Sequence, residues 1–150
     1  MSNIILLDSG PLGLVTNPRA STENRECNLW MQSQLRKGVW VLVPAISDYE
    51  VRRELLRANK TKGLTRLNEL IEAVGYAGIS TEVIQQAALF WAQARKMGKP
   101  TAPEAALDGD MILAAHAEVL SDAGHLVVVA TTNVKHLELF VDARLWRDIT

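Results

Sequence analysis

Four residues with carboxyl or amide side chains lie just after apolar runs of the sequence or near the start of a helix-like segment. They are Asp8, Glu50, Asp110 and Asn133. A strand that carries a carboxylate at its carboxyl end is how α/β sheets build polar sites, because ligands bind in the crevice beyond those ends. Gathered carboxylates repel one another unless a hard divalent cation lies between them, and Mg²⁺ or Mn²⁺ accepts such ligands. The pattern therefore predicts a metal-dependent site that cleaves phosphodiester bonds.

Three of these residues also have a purely structural interpretation. Asp8 follows the apolar run 4–7 and suits a turn or a helix cap. Glu50 suits an ordinary surface pair with Arg53 on one helix face. Asn133 follows the apolar run 127–130 and two threonines, and it suits a turn after a strand. Only their joint placement favours chemistry over structure.

The segment Asp108-Gly109-Asp110 is the most specific short motif of the chain. It precedes a small, apolar segment that predicts a helix over residues 110–120. An aspartate at a helix start caps the helix and stabilises it by roughly 0.3–1 kcal/mol. Capping explains one of the two acids, so the second acid indicates a further role.

Five side chains near these acids are candidates for holding a phosphate group: Ser9, Arg52, Arg53, Thr132 and His136. Ser9 would orient the neighbouring carboxylate by hydrogen bonding. A guanidinium group can hold a phosphate through two parallel hydrogen bonds. A histidine can bind phosphate or an outer-shell water, although a lone histidine is more often structural or solvated. His116 and His125 are interpreted as structural.

The composition is that of a globular protein of one domain over residues 1–150, with 48% apolar and 22% charged residues. The formal net charge of −1 gives no overall basic field, so any nucleic-acid contact must rely on a local basic patch. Cys27, the only cysteine, excludes an internal disulfide framework and a thiolate zinc site, and it suits an apolar helix face. We see no signal peptide and no apolar stretch of membrane-spanning length, so we expect a cytoplasmic protein.

Short apolar runs alternate with longer segments of helical periodicity, which is typical of a parallel sheet covered by helices. The predicted strands cover residues 4–7, 39–43 and 126–130, with a short strand near 77–79. The predicted helices cover residues 12–16, 21–38, 46–59, 64–74, 81–97 and 110–120. A turn is predicted at residues 9–11, a loop at 98–103, and a short helix with an edge strand after residue 137. The prediction is an α/β protein with a central parallel sheet between two helical layers.

Taken together, these residues resemble the PIN domain family, most closely the VapC-like toxins of prokaryotic toxin–antitoxin pairs. The matching segments are 5–9 (Ile-Leu-Leu-Asp-Ser), 43–50 (Val-Pro-Ala-Ile-Ser-Asp-Tyr-Glu), 110–117 (Asp-Met-Ile-Leu-Ala-Ala-His-Ala) and 128–134 (Val-Val-Ala-Thr-Thr-Asn-Val). They follow the order of the family and span nearly the whole chain. The fold that the resemblance implies is a parallel sheet with helices on both faces, in agreement with the pattern above.

The resemblance implies that Asp8, Glu50 and Asp110 form an acidic cluster, with Asn133 in the fourth place and Asp108 close enough to assist. It implies Mg²⁺ or Mn²⁺ as cofactor and hydrolysis of single-stranded RNA, with the ion lowering the pKa of a bound water. It also implies a homodimer and inhibition by a cognate VapB-like antitoxin. The chain departs from the family at His136-Leu137, where an aspartate and an aromatic residue are common, and in a longer segment between the third and fourth positions.

Three other functions fit parts of the sequence. An RNA-processing nuclease would keep the fold and the metal but act outside a toxin–antitoxin pair. A degenerate PIN-like module would bind RNA or a protein partner without cutting. A phosphotransfer domain built on Asp8 would give Glu50 and Asp110 no joint role.

Overall fold

The computed structural model describes residues 2–98 and 104–150, and within them five strands form one sheet. The strands are β1 (Asn3–Leu7), β2 (Trp40–Pro44), β3 (Tyr76–Ala77), β4 (Leu126–Thr131) and β5 (Ala143–Leu145). Their order is β3-β2-β1-β4-β5, and every neighbouring pair is parallel. The carboxyl ends of β1, β2 and β4 therefore meet at one edge of the sheet.

Six helices connect the strands in the described part of the chain. They are α1 (Ser9–Thr16), α2 (Thr22–Arg36), α3 (Ala45–Arg57), α4 (Thr61–Val74), α5 (Thr81–Lys96) and α6 (Glu104–Asp122). Two 3₁₀ turns follow, at Val134–His136 and Trp146–Asp148. Ser21 and Ser80 cap α2 and α5 by accepting a hydrogen bond from the backbone N–H three residues later. Gly75 ends α4 with φ of 124°, a conformation that glycine adopts without strain.

The central strand divides the core into two layers. Ile4 and Leu6 face one side, where they pack with residues of α5 and α6, and Ile5 and Leu7 face the other, with residues of α1, α2 and α4. Successive side chains of a strand point to opposite faces, so a strand buried on both faces has to be apolar throughout. The α/β fold with a parallel sheet between two helical layers is confirmed.

The first helix is longer than the sequence indicated. Residues 9–11 were predicted as a turn, but they form the first turn of α1, so that prediction is wrong. Proline is tolerated there because the first helical N–H groups have no partner within the helix. Asp8 is the N-cap, as its structural interpretation allowed.

The helix α6 begins at Glu104, not near Asp110. The interpretation of Asp110 as a cap at a helix start is therefore wrong, and the acid lies well inside the helix. The residues 104–107, Glu-Ala-Ala-Leu, are strong helix formers that extend the helix toward the amino terminus. The predicted loop 98–103 lies outside the described residues from 99 onward.

Both predicted edge strands are present, and the first begins one residue earlier than predicted. The short strand near 77–79 lies at Tyr76–Ala77, where it pairs with the end of β2. The edge strand after residue 137 is confirmed as β5, which pairs with β4. No helix of the described residues is long and apolar enough to cross a membrane.

We expect Leu6→Ala to lower the free energy of unfolding by about 3 kcal/mol, because the side chain is fully buried in the central strand and its loss leaves a cavity. Urea denaturation measures the change. Leu126→Ala is the matched control, since Leu126 lies on β4 but is 57% exposed, and it should cost less than about 1 kcal/mol. Equal losses would contradict the assignment of the core.

Candidate functional site

Asp8 is held at the carboxyl edge of the sheet by three hydrogen bonds. Its backbone N–H donates to the carbonyl of Ala130 at 2.9 Å, which continues the pairing of β1 with β4 by one residue. Its Oδ1 accepts from the N–H of Ser9 at 2.7 Å, and its Oδ2 accepts from the hydroxyl of Thr131 at 2.7 Å. The carboxylate therefore has a fixed orientation beyond the strand end.

Thr131 is a residue of the site that the sequence did not indicate. Its side chain is fully buried, and its hydroxyl accepts from the N–H of Asn133 at 2.9 Å. The hydroxyl oxygen thus accepts from Asn133, while its proton is donated to Oδ2 of Asp8. The signal was a polar residue two positions after buried Val129 on the same face of β4, whereas Thr132, the predicted residue, is exposed.

Glu50 lies against the backbone of α6. A Cβ added at Gly109 would stand 3.1 Å from Oε2 of Glu50, which is tighter than ordinary contact. Glycine at this position therefore lets the carboxylate of α3 approach the helix that carries Asp110. The motif Asp108-Gly109-Asp110 has its physical explanation here, in close approach instead of capping.

The electrostatics join Asp8, Glu50 and Asp110. Burial raises the pKa of Glu50, the negative charges of Asp8 and Asp110 raise it further, and Arg53 opposes the shift. Burial is also the main cause that raises the pKa of Asp110, with His136 opposing and Asp8 adding to it. The carboxylates of Asp8, Glu50 and Asp110 thus lie close enough at one edge of the sheet to interact electrostatically.

Asp110 has an oxygen without a satisfied hydrogen bond. Its Oδ2 lies 3.2 Å from Nδ1 of His136, which is close enough for an ion pair. The ring nitrogen and the oxygen do not meet hydrogen-bond geometry, and this buried oxygen has no other partner among the described residues. A buried acceptor of this kind needs a donor or a cation.

The acids do not form a closed metal site. Among the side chains described, those of residues 2–98 and 107–150, no three carboxylate, imidazole or thiol groups are arranged so that they could hold one metal ion. The predicted ligand set of Asp8, Asp110, Glu50 and Asp108 therefore stays a prediction.

Asn133 and Asp108 stand apart from the three acids. Asn133 is exposed, and its backbone N–H, not its side chain, makes the contact with Thr131. Asp108 is also exposed, and two residues along an α-helix correspond to about 200° of rotation, so it lies on a different face from Asp110. Both stay predictions as ligands, and the geometry favours Asp110 over Asp108.

The two predicted arginines have different surroundings. Arg52 donates to Asp48 at 3.0 Å and to Asn68 at 2.9 Å, so its guanidinium joins α3 to α4. Arg53 lies over the ring of Tyr49, 5.0 Å from its centroid, and its charge lowers the pKa of Glu50. Of the two, Arg53 acts electrostatically on the acids, and the substrate-binding roles of both stay predictions.

Ser9 and Thr132 lie beside the acidic edge. The hydroxyl of Ser9 is 3.5 Å from Oδ1 of Asp8, so its backbone N–H makes the stronger bond. A Cβ added at Gly10 would stand 2.5 Å from Oγ1 of Thr132, which leaves no room for a larger residue at position 10. Their substrate-binding roles stay predictions.

Two titratable groups belong to the core. His116 is buried in α6, and burial lowers its pKa to about 4, so it is neutral near neutral pH. Cys27 is buried in α2, and burial raises the pKa of its thiol to about 12. The observed burial of both agrees with the structural roles that the sequence indicated.

Comparison with solved structures finds the same fold in chains of three VapBC structures. A chain in the structure of VapBC2 from Rickettsia felis bound to a promoter DNA fragment matches with a TM-score of 0.72 at 14% identity, covering 95% of this chain and 98% of that chain. A chain of VapBC-1 from nontypeable Haemophilus influenzae gives 0.71 at 16% identity, with 97% and 99% coverage. A chain of DNA-bound VapBC from Salmonella typhimurium gives 0.68 at 17% identity, again with 97% and 99% coverage.

These similarities cover nearly the whole of each chain, and they confirm the fold that the resemblance to PIN domains implied. No protein-family model matches the chain, and no curated protein matches its sequence. At such low identity the likeness is one of fold, and the chemistry has to be argued from the residues.

We expect Thr131→Val to lower the free energy of unfolding by about 1–2 kcal/mol, because it leaves an oxygen of Asp8 and the N–H of Asn133 without their partner. Thr131→Ser keeps the hydroxyl and should lose less. Chemical denaturation of the two variants beside the wild type makes the comparison. A valine variant as stable as the wild type would contradict the role assigned to the hydroxyl.

We expect Glu50→Gln to raise the Tm near neutral pH by about 2 °C. The folded-state pKa of Glu50 lies above its ordinary value of 4.5, so its favourable contribution is present below pH 4.5 and is lost as pH rises through the folded pKa. The gain should therefore shrink as pH falls toward 4.5. Glu54→Gln, which removes an exposed partner of Arg57, is the control and should give no gain. A pH-independent difference would argue against ionisation of the buried Glu50 as the cause.

Proposed function

We propose that the chain is a metal-dependent endoribonuclease that cuts single-stranded RNA and acts as the toxin of a VapBC-type toxin–antitoxin pair. The observation that carries the proposal is the mutual electrostatic influence of Asp8, Glu50 and Asp110 at the carboxyl edge of the sheet. Like charges that are held close together repel one another, and a cation bound between them offsets that repulsion. The fold shared with chains of VapBC assemblies supports the same conclusion.

The donor set fits Mg²⁺ or Mn²⁺. Oxygen ligands suit these ions, and the buried Oδ2 of Asp110 has an unsatisfied lone pair. Mg²⁺ usually keeps several waters and binds through one or two carboxylates, so three acids need not converge on a single ion. When bound, the ion would supply an activated water and stabilise charge on the phosphate.

The residues of the chain would divide the remaining work. Thr131 and the N–H of Ser9 hold the carboxylate of Asp8 in one orientation, which removes the cost of ordering it when substrate binds. Arg53 would contact a phosphate oxygen, since its charge already reaches Glu50. The raised pKa of Glu50 suits it to take up a proton near the acidic edge.

The proposal includes a protein partner. The similar chains come from structures of VapBC assemblies, which supports a VapB-like antitoxin for this chain too. A homodimer, a cytoplasmic location and the fourth role of Asn133 follow from the resemblance to VapC-like toxins, and we carry them as parts of the same proposal.

One observation favours a second function. The described acids are not arranged to hold one ion, which is what a PIN-like module that binds RNA or a protein without cutting would present. That module would bind RNA independently of divalent cations. The nuclease experiment separates the two functions.

We expect wild-type protein to cleave a mixed single-stranded RNA panel with Mg²⁺ or Mn²⁺ and to stop when the ion is chelated. Asp8→Asn and Asp110→Asn should each lose at least roughly 100-fold in rate, because each removes charge from the acidic edge. Asp122→Asn is the matched control, one amide for one acid at an exposed position at the end of the same helix, and should stay within about threefold.

The binding of Mn²⁺ by calorimetry gives a readout separate from cleavage. Weaker Mn²⁺ binding in Asp8→Asn and Asp110→Asn, with cleavage lost in both, would support the nuclease. Cleavage that survives both substitutions would contradict the assigned site. Metal-independent RNA binding by a folded protein that never cuts would support the binding module.

A further inference from the structure

A cleft of about 790 Å³ opens between α1, α3 and the start of α4. Its walls are the end of α1 with the segment that follows it, the second half of α3, and the first residues of α4. Val51 and Leu55, both partly buried, give it an apolar floor. None of the residues assigned to the acidic edge lines it.

The rim of the cleft is basic. Arg19, Arg57, Lys60 and Lys62 line it, against a single acid, Glu54, so the lining carries four positive charges and one negative charge. Glu54 is already paired with Arg57 at 2.8 Å. The other three cations form no ion pair within the described residues, although the whole chain has a net charge of −1. A local positive surplus in a slightly acidic protein favours an anionic occupant.

Helix α3 links the acidic edge to the cleft, because Glu50 lies beside the other acids and Arg57 lines the cleft. Glu50, Arg53 and Arg57 are spaced by three and four residues, so they share one side of that helix. At 1.5 Å per residue, Arg57 lies roughly 10 Å along the axis from Glu50. Tyr49, directly before Glu50 in the chain, is 58% exposed with Arg53 over its ring, so it adds an aromatic face beside the acids.

This order of groups suits a nucleic-acid strand better than a peptide. Proteins that bind single strands without base readout combine a positive groove for the backbone with aromatic faces for stacking. Exposed Tyr49 offers the stacking face beside the site, and the unpaired cations of the cleft offer phosphate contacts. An acidic peptide would use the cations and the apolar floor but would have no need of the path along α3.

We propose that the cleft holds the part of the RNA strand that runs on from the cutting site, with Arg19, Lys60 and Lys62 contacting its phosphates. The inference rests on the proposed function, because it takes the acidic edge as the place of cutting. It adds a second contact region that decides how strongly long strands bind.

The test measures RNA binding, which needs no cutting. In protein carrying Asp8→Asn, single-stranded RNA of about 4 and about 16 nucleotides is titrated over a range of salt concentrations. We expect Lys60→Gln/Lys62→Gln to weaken binding of the longer RNA roughly tenfold and to lower its salt dependence by about 1.4 in log–log slope, since two phosphate contacts are lost. The short RNA should bind the variant and the parent alike.

Arg36→Gln/Lys37→Gln is the matched control, because it removes two exposed cations at the end of α2, outside the cleft. It should leave both RNAs unchanged. Equal weakening by both double variants would overturn the proposal and indicate non-specific attraction. Equal weakening of short and long RNA would also overturn it.

A Glu-rich amphipathic peptide provides the remaining comparison. If Lys60→Gln/Lys62→Gln abolishes binding of that peptide while long RNA binds normally, the cleft belongs to a protein partner and the proposal fails. If wild-type protein cuts no RNA but the cleft variant still loses binding of long RNA, the proposed cutting fails while the RNA path stands.

Discussion

The partial burial of three neighbouring carboxylates, which also repel one another, is the constraint that the rest of this structure has to meet. Asp8, Glu50 and Asp110 come from a strand end and two helices, and burial together with their neighbours' charges raises the pKa of the last two. Such an arrangement destabilises the fold near neutral pH, so other parts of the fold have to supply the stability. The central strand with its buried side chains, and the two apolar layers around it, supply that stability.

The details of packing show how the acids are brought so close. Gly109 allows α3 to place its carboxylate against the backbone of α6. Ala114 and Ala115, fully buried one turn further along, let the same helix lie close to the sheet. The Thr131 hydroxyl then fixes the orientation of Asp8 from the neighbouring strand. Small residues and one hydroxyl thus determine the geometry, while the acids provide the chemistry.

The sequence predicted the sheet well, because a parallel strand that is buried on both faces leaves an unmistakable apolar run. It also predicted that Asp8, Glu50 and Asp110 belong together. It could not reveal that α6 starts nearly two turns before Asp110. Residues 104–107 favour a helix, whereas an aspartate suits a helix start, so the sequence pattern allowed either boundary. Nor could it choose Thr131 over Thr132, because which side of a strand end is buried depends on the register with β1 and β5. The positions of Arg52 and Arg53 depend on partners from α4 and from their own helix, which no local pattern specifies.

The borders of the sheet have a consequence for assembly. β3 has two residues and β5 has three, so each border offers only a few unpaired backbone groups. Short border strands are a poor template for another chain to extend by strand addition, which protects a wholly parallel sheet from runaway aggregation. The helices and loops therefore offer the larger surface for contacts with another chain. Substitutions on the outer faces of the helices can then create new contacts with partners without disturbing the strand pairing inside.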